Sequence, residues 1–580
     1  MEFTQAQIEG KIREGFRSGM DNLPEKLWTH NLGRYIRENK SAWRGLGFYY
    51  RNARAGYANI HKNLFPVFAP IMLILGIVYY LIIIIRHYIG IPKDNISTWW
   101  LGMFPNRLGL AIDLANPGGD IYFAMGTEQP TAPITMKSYT TVRGCGYGSV
   151  IDFGSNGGDQ QGFDLQNKRY IKFQDLYIKN AKDGAHTDER AGIQIGPVFT
   201  GGAWSTGETS RYIIVENCHF EGCSSAIRIN GGKYVLINGC MFYDGPASGD
   251  TENCFRIIDH PKTEPSNRQA EYIVISNNYI KGTNWDSILH CPSGEDENAA
   301  VRYLVFANNV IESANCMAEI TGSVNHIIIS NNVCSSCAAN GIYFNDSAKS
   351  YDKDWEFIKI SGNIIRNCGS SHYGIYVLQT RNGTLLNLLQ ITDNILDGGG
   401  TTLGGIYINN GGTSQQVGHM INNNMVHDFA NSGIQLKFIN SSIISGNLCN
   451  GNGWDGITLY DGSGASQQNV LIGNVCRMNG RDGIRIEESN YNALIGNICH
   501  SNADNYNGIY IMGANGSDRN VCVGNVCNDL QGTATQEYGI NVADSDSNKN
   551  LILGNILYPN VSGTIADAGT DTVDEHNIKD

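Results

Sequence analysis

The sequence predicts an all-β protein, a parallel β-solenoid of about 13 coils, preceded by an α-helical N-terminal region with one transmembrane helix. Three observations predict it. A short Asn- or Cys-centred element recurs every 22 to 38 residues, a Gly-Ile-x-Ile tetrad accompanies it, and one uncharged run of 22 residues lies near the start.

Composition sets the bounds. A chain of 580 residues is too long for one ordinary compact core, so several domains or an elongated repeat are expected. With 69 glycines, 14 prolines and 17% charged residues, a charge-rich disordered chain is excluded. Residues 1–63 carry eleven Lys/Arg against six Asp/Glu, so a net charge of −13 leaves about −18 on the remainder. So acidic a body does not hold nucleic-acid phosphates. Its expected partners are neutral glycans, cations, or anionic glycans bridged by a cation. The fifteen cysteines, several at one repeat position, read as small buried fillers rather than a disulfide framework. Cys334 and Cys337 have CxxC spacing, but no second pair answers them, and no metal site is expected there.

The elements follow in order. Residues 1–63 mix Arg with aromatics at near-helical spacing, which suits an amphipathic helix at a headgroup boundary. Residues 64–85, LFPVFAPIMLILGIVYYLIIII, carry no charge and are long enough to cross a hydrocarbon core, so 64–90 is expected to be a transmembrane helix. The basic excess upstream puts residues 1–63 on the cytoplasmic or matrix side and everything after about 90 on the exterior side. Residues 91–110 form a linker, 111–560 the solenoid, and 561–580 a C-terminal tail or cap.

Within the solenoid the element LIGNVC (471–476) returns as LIGNIC (494–499). It recurs around Cys218, Cys240, Asn278, Asn309, Asn332, Asn363, Asn394, Asn424, Asn447, Asn474, Asn497, Asn525 and Asn555. Short strands, Gly/Asn turns and no helical period at this spacing read as coils stacked at about 4.8 Å. Asn tolerates the left-handed bend of such a turn, and stacked Asn side chains bond one another's amides. These repeats resemble right-handed parallel β-helix (PbH1) repeats of the pectate-lyase-like superfamily. The opening stretch 111–153 resembles that superfamily's first coil, with Gly118-Gly119, Gly126-Thr127 and Gly144-x-Gly146 at its turns. The resemblance covers about 110–560 and implies the fold. Before the span, the pattern WRG…YYR…GY (within residues 30–90) resembles the single-span f subunit of mitochondrial ATP synthase.

In the tetrad both Ile point inward, so x points out. The row of x reads Gln194, Arg228, Arg256, Leu289, Glu319, Tyr343, Tyr376, Tyr407, Gln435, Thr458, Arg485, Tyr510 and Asn541. Aromatic faces suit sugar rings and Arg suits carboxylates. Polar loops at 184–192, 259–269 and 290–302 flank the charged end of the row and add carboxylates and histidines. The expected function is therefore an anchored, outward-facing β-helix that binds polysaccharide. If it cleaves, by a hydrolase or lyase route, Asp259, Asp286 and Glu319 are the acid/base or metal carboxylates. Arg228 and Arg256 then hold substrate carboxylates, Tyr343, Tyr376 and Tyr407 form the sugar platform, and Ca²⁺ is the cation that route would use. The catalytic signatures of polygalacturonases, alginate epimerases and pectate lyases are missing; RIIDHP (256–261) comes nearest to the last. That leaves open a second reading, a non-catalytic subunit of a membrane complex whose rod is a spacer or interaction surface.

Overall fold

The computed structural model describes residues 4–21, Leu108, Ile112 and most of 119–579. Outside the described residues fall 22–107, the loops at 157–160, 183–189, 246–251, 259–269, 293–299, 347–354, 380–385, 411–415 and 461–465, and a few positions near them. The expected span at 64–90 and linker at 91–110 therefore lie outside the described residues. No helix among the described residues is long and apolar enough to cross a membrane.

Three parallel sheets of 17, 15 and 16 strands run between residues 120 and 575. Each coil contributes one short strand to each sheet, as in Val470–Ile472, Val475–Arg477 and Ile484–Glu487. Seventeen rungs in the first sheet correct the expected 13 and make a rod about 77 Å long at about 4.8 Å per rung. The Asn element undercounts because the first three coils lack it and because the last rung, marked by Asn577, departs from the repeated pattern. The expected tail at 561–580 is also solenoid: Gly563–Asp567 and Val573–Glu575 pair in register with the preceding coil.

The alternation in each strand sends one set of side chains into a continuous core. Cys449, Cys476, Cys499 and Cys527 stack in register there, and all are free thiols. At the corner between the first two sheets the Asn element forms an unbroken amide ladder. Asn474 Nδ2 and its backbone N–H both donate to Asn497 Oδ1, at 2.9 and 3.0 Å, while Nδ2 also donates to Ile444 O at 2.9 Å. The same three bonds repeat from Asn309 to Asn555, and Asn577 adds a final rung. Two further ladders close the other corners of the later coils, Asn452–Asn479–Asn502 and Asn469–Asn492–Asn520. The amides of these ladders are thus satisfied by their neighbours, which lets these tight turns be buried without cost in lost hydrogen bonds.

One helix, α1 (Gln5–Asp21), lies on the outer face of the first sheet. Thr4 and Gln7 form a capping box: the Gln7 N–H donates to Thr4 Oγ1, and the Thr4 N–H donates to Gln7 Oε1. Ile8 and Ile12 are buried against Ile214, Leu236, Val274 and Val305, each side chain contributing about 1.5–3 kcal/mol. Gly15 and Gly19 permit the approach, since a Cβ there would fall 2.2 Å from the Tyr212 ring and 1.8 Å from the Tyr170 ring. Those rings belong to a stack of tyrosines, Tyr170–Tyr212–Tyr234–Tyr272–Tyr303, with centroids 4.7–4.9 Å apart. Arg13–Glu216 at 2.6 Å and Ser276 Oγ to Glu9 Oε1 at 3.0 Å pin the helix along the rod. This packing brings residues 4–21 directly onto the solenoid.

Candidate functional site on the third sheet

The strands of the third sheet are held from inside by the Ile pairs of the tetrads, so the residue between them projects outward in strict register. The observed row is Gln194, Arg228, Arg256, His290, Glu319, Tyr343, Tyr376, Tyr407, Gln435, Thr458, Arg485, Tyr510 and Asn541. Leu289 is the one misplaced member. It pairs with Phe255 and faces the core, fully buried, and His290 takes its place. A slip of one residue exchanges the two faces of a strand.

At the charged end, Arg228 is fully buried and its Nη1 lies 2.6 Å from Glu252 Oε2, which also accepts from Ser225 Oγ at 2.9 Å. Its guanidinium is therefore committed to the protein and is not presented to a ligand carboxylate. Arg256 lies 3.7 Å from the same carboxylate and is partly exposed. The His290 imidazole is held down to about 3 by burial, with Arg256 and Arg228 adding to the effect, so it is neutral. The Asn253 amide reaches its Nδ1 at 3.0 Å. Glu319 follows, half-buried, its carboxylate accepting from Ser287 Oγ at 2.6 Å. Asp286 is exposed at the turn just before Ser287, and its N–H donates to Glu252 O at 2.8 Å. The structure thus brings Asp286, Glu319 and Arg256 to neighbouring rungs. Asp259 lies outside the described residues, as do the loop residues His186, Asp188, Glu189, His260, Glu295, Asp296 and Glu297.

Tyr343, Tyr376 and Tyr407 occupy the next three rungs. Their centroids are 5.2 Å apart, and Tyr373 packs on the last of them at 5.0 Å and 20°. The rings stack largely on one another along the rod. Within the stack the Tyr343 hydroxyl accepts from Asn345 Nδ2 at 2.6 Å. Burial raises the phenol of each of the four, that of Tyr407 to about 12, so all are neutral hydrogen-bond donors.

Beyond the tyrosines a second polar group appears that the x row alone does not reveal. Asp455 and Asp482 sit three residues before Thr458 and Arg485, both buried. Asp482 N–H donates to Asp455 Oδ1 at 3.1 Å, and Asn507 donates to Asp482 Oδ1 through its N–H and Nδ2 at 2.7 and 2.9 Å. Asp482 Oδ2 makes no hydrogen bond and lies 3.8 Å from Arg485 Nη1. The repeated Asp-Gly-Ile of WDGI (454–457) and RDGI (481–484), where later coils carry Asn-Gly-Ile, was the available signal. Glu252 and Ser287 carry no comparable sequence mark.

Among the described residues, one group has metal-ligand geometry: Asp397, His427 and Asp428, with ligand atoms within 4.8 Å of one another. It lies on the second sheet, away from the row. The expected use of Ca²⁺ thus finds no cluster of at least three ligands on the third sheet among the described residues.

The family model for the right-handed β-helix region matches residues 350–517. No curated protein sequence matches the chain. Among solved structures, the chain is similar to a surface protein and adhesin of Streptococcus pneumoniae, at 14% identity over 67% of this chain and 96% of that one, with a TM-score of 0.38. It is similar to the tailspike protein of an E. coli bacteriophage in complex with a pentasaccharide, at 12% identity over 84% and 79%, TM-score 0.41. A third is the α-1,3-glucanase catalytic unit of Streptomyces thermodiastaticus, at 14% identity over 85% and 71%, TM-score 0.32.

Proposed function

We propose that the outer face of the third sheet binds a polysaccharide lengthwise. The observation that carries this reading is the row itself: an unbroken file of planar and hydroxylated side chains from Arg256 to Tyr510, one per coil, on a rigid support. A polymer of repeating hydroxylated units presents a matching file of donors and acceptors, and the neutral phenols and His290 are donors that cost no charge burial. Arg256 would engage an anionic unit, with Arg228 and Glu252 holding it in place.

Cleavage would fall at Glu319, the half-buried carboxylate between His290 and the tyrosines, with Asp286 or Asp259 as its partner. Two carboxylates flanking one bond serve either hydrolase geometry. The test is a glycan array probed with the full chain, with and without EDTA, followed by turnover of the bound glycan. Tyr376→Ala is expected to weaken binding about tenfold, and Glu319→Gln to abolish cleavage while leaving binding in place. A Glu319→Gln/Asp286→Asn variant that cleaves at the wild-type rate removes the catalytic assignment; an array with no bound glycan removes the whole reading.

The uncharged run 64–85 would attach the chain to a membrane, with α1 and the solenoid both on one face. Protease added to sealed vesicles then reaches both or neither; cutting only one of them would refute this topology.

A further inference from the structure

The outer face of the first sheet is apolar toward both ends of the rod, but among the described residues only one end is covered. In the early coils Ile214, Leu236, Val274 and Val305 are at most 3% exposed because α1 lies on them. Lys359 and Gln390 then interrupt the stripe in register. It resumes at Met420 and runs through Ile443, Val470, Ala493, Val521 and Leu551 to Val573. Here nothing among the described residues covers it: Met420 and Ile443 are 38% and 40% exposed.

Two parallel stripes widen this face. Ile472 and Ile495 lie two residues further along each strand, and Ile498 and Ile556 lie just past the Asn corner; all four are 38–41% exposed. Between Met420 and Ile556 the three stripes contain no charged residue. A face about 30 Å long and roughly 20 Å wide offers about 600 Å² per copy, the lower end of what a specific protein interface needs. It stands at the upper end of the apolar patches that monomeric proteins expose, which are often functional.

We infer that this face joins two copies of the chain, packed antiparallel about a twofold axis near Ala493. A second copy has the same rung spacing of about 4.8 Å, so the stripes mesh along their whole length, and the face is self-complementary in shape and in its lack of charge. Orientation follows from α1. The helix stands about 10 Å above the same face and turns Lys11, Glu14 and Arg17 to solvent. Two parallel copies would meet helix against helix, holding the open stripes apart. In the antiparallel arrangement each early half extends beyond the end of its partner, and both helices clear.

The test uses the full chain in a non-denaturing detergent. Sedimentation across a concentration series is expected to give a dimer. Ile472→Glu/Ile498→Glu should weaken it at least about a hundredfold, with circular dichroism and thermal midpoint unchanged. An equimolar mixture of Met420→Cys and Val573→Cys chains should form a disulfide-linked heterodimer. A wild-type monomer throughout the series, or a double variant that remains dimeric, overturns the interface. Linking of Met420→Cys chains only to themselves overturns the antiparallel arrangement.

Discussion

Replacing Asp482 by Asn should stabilise the rod at pH 8 and leave it unchanged near pH 4.5. Asp482 is fully buried on a rung between Asp455 and Asn507. Burial, and next the charge of Asp455, push its carboxyl up to about 7. Its unfolded value is near 3.9, so folding favours the protonated form. That contribution is fully present below about pH 4 and is lost as pH rises through about 7. Three pH units at about 1.4 kcal/mol each give roughly 4 kcal/mol as a ceiling. The proton is shared with Asp455 and the charge is partly met by Arg485, so about 2 kcal/mol is the working figure. Asn keeps the oxygen that accepts from Asn507 and offers Nδ2 toward Asp455, as Asn507 does one rung on. The assay is the thermal midpoint of wild type and Asp482→Asn from pH 4.5 to 8. A difference that does not change with pH, or a lower midpoint for the variant at pH 8, would refute the reasoning.

Asn394→Ala removes the only acceptor seen for the Asn363 N–H and one of two for its Nδ2, so it should cost about 2–4 kcal/mol in thermal or denaturant unfolding. Ile12→Glu should free α1, read as faster amide exchange in the strands Arg211–Glu216 to Ala300–Ala307 with the rest of the rod unchanged. Arg228→Met alone should destabilise by about 3 kcal/mol, the lower end for a broken buried pair because Arg256 stays 3.7 Å from Glu252; adding Glu252→Gln should recover most of that loss.

The scaffold was legible in the sequence because its interior is periodic. Each Asn rung from Asn278 to Asn555 stands where the repeated element puts it, since a stack satisfies its amides only if every coil supplies the same residue at the same corner. The early coils were undercounted because aromatic and aliphatic fillers such as Phe163, Phe173 and Ile178 pack there without an Asn to mark the turn. Leu289 was misread because Ser287–Cys291 offers three adjacent apolar or half-polar residues, and periodicity alone does not choose between the two faces. Tyr343, Tyr376 and Tyr407 stand at the positions the tetrad gives them, but Tyr373, which packs on Tyr407, comes from outside the tetrad's outward position and spacing does not mark it. The docking of α1 escaped because its partner surface, Ile214 to Val305, is assembled from separate coils, and an amphipathic pattern does not say which surface its apolar side meets.

The two kinds of surface on the rod follow from one division of labour. Inward residues and corner amides carry the fold, so outward residues are released from it and can differ from coil to coil without disturbing register. On the third sheet that freedom appears as a polar and aromatic file in which no residue type persists beyond three rungs. On the first sheet, by contrast, the later coils keep the outward stripe apolar through seven successive rungs, from Met420 to Val573. A solvated face would gain nothing from such uniformity. The early coils show what apolar outward residues are used for in this chain, because there they lie beneath Ile8 and Ile12. The uniformity of the uncovered stripe is therefore best accounted for by a second packing partner, and the partner whose repeat matches rung for rung is another copy of the rod.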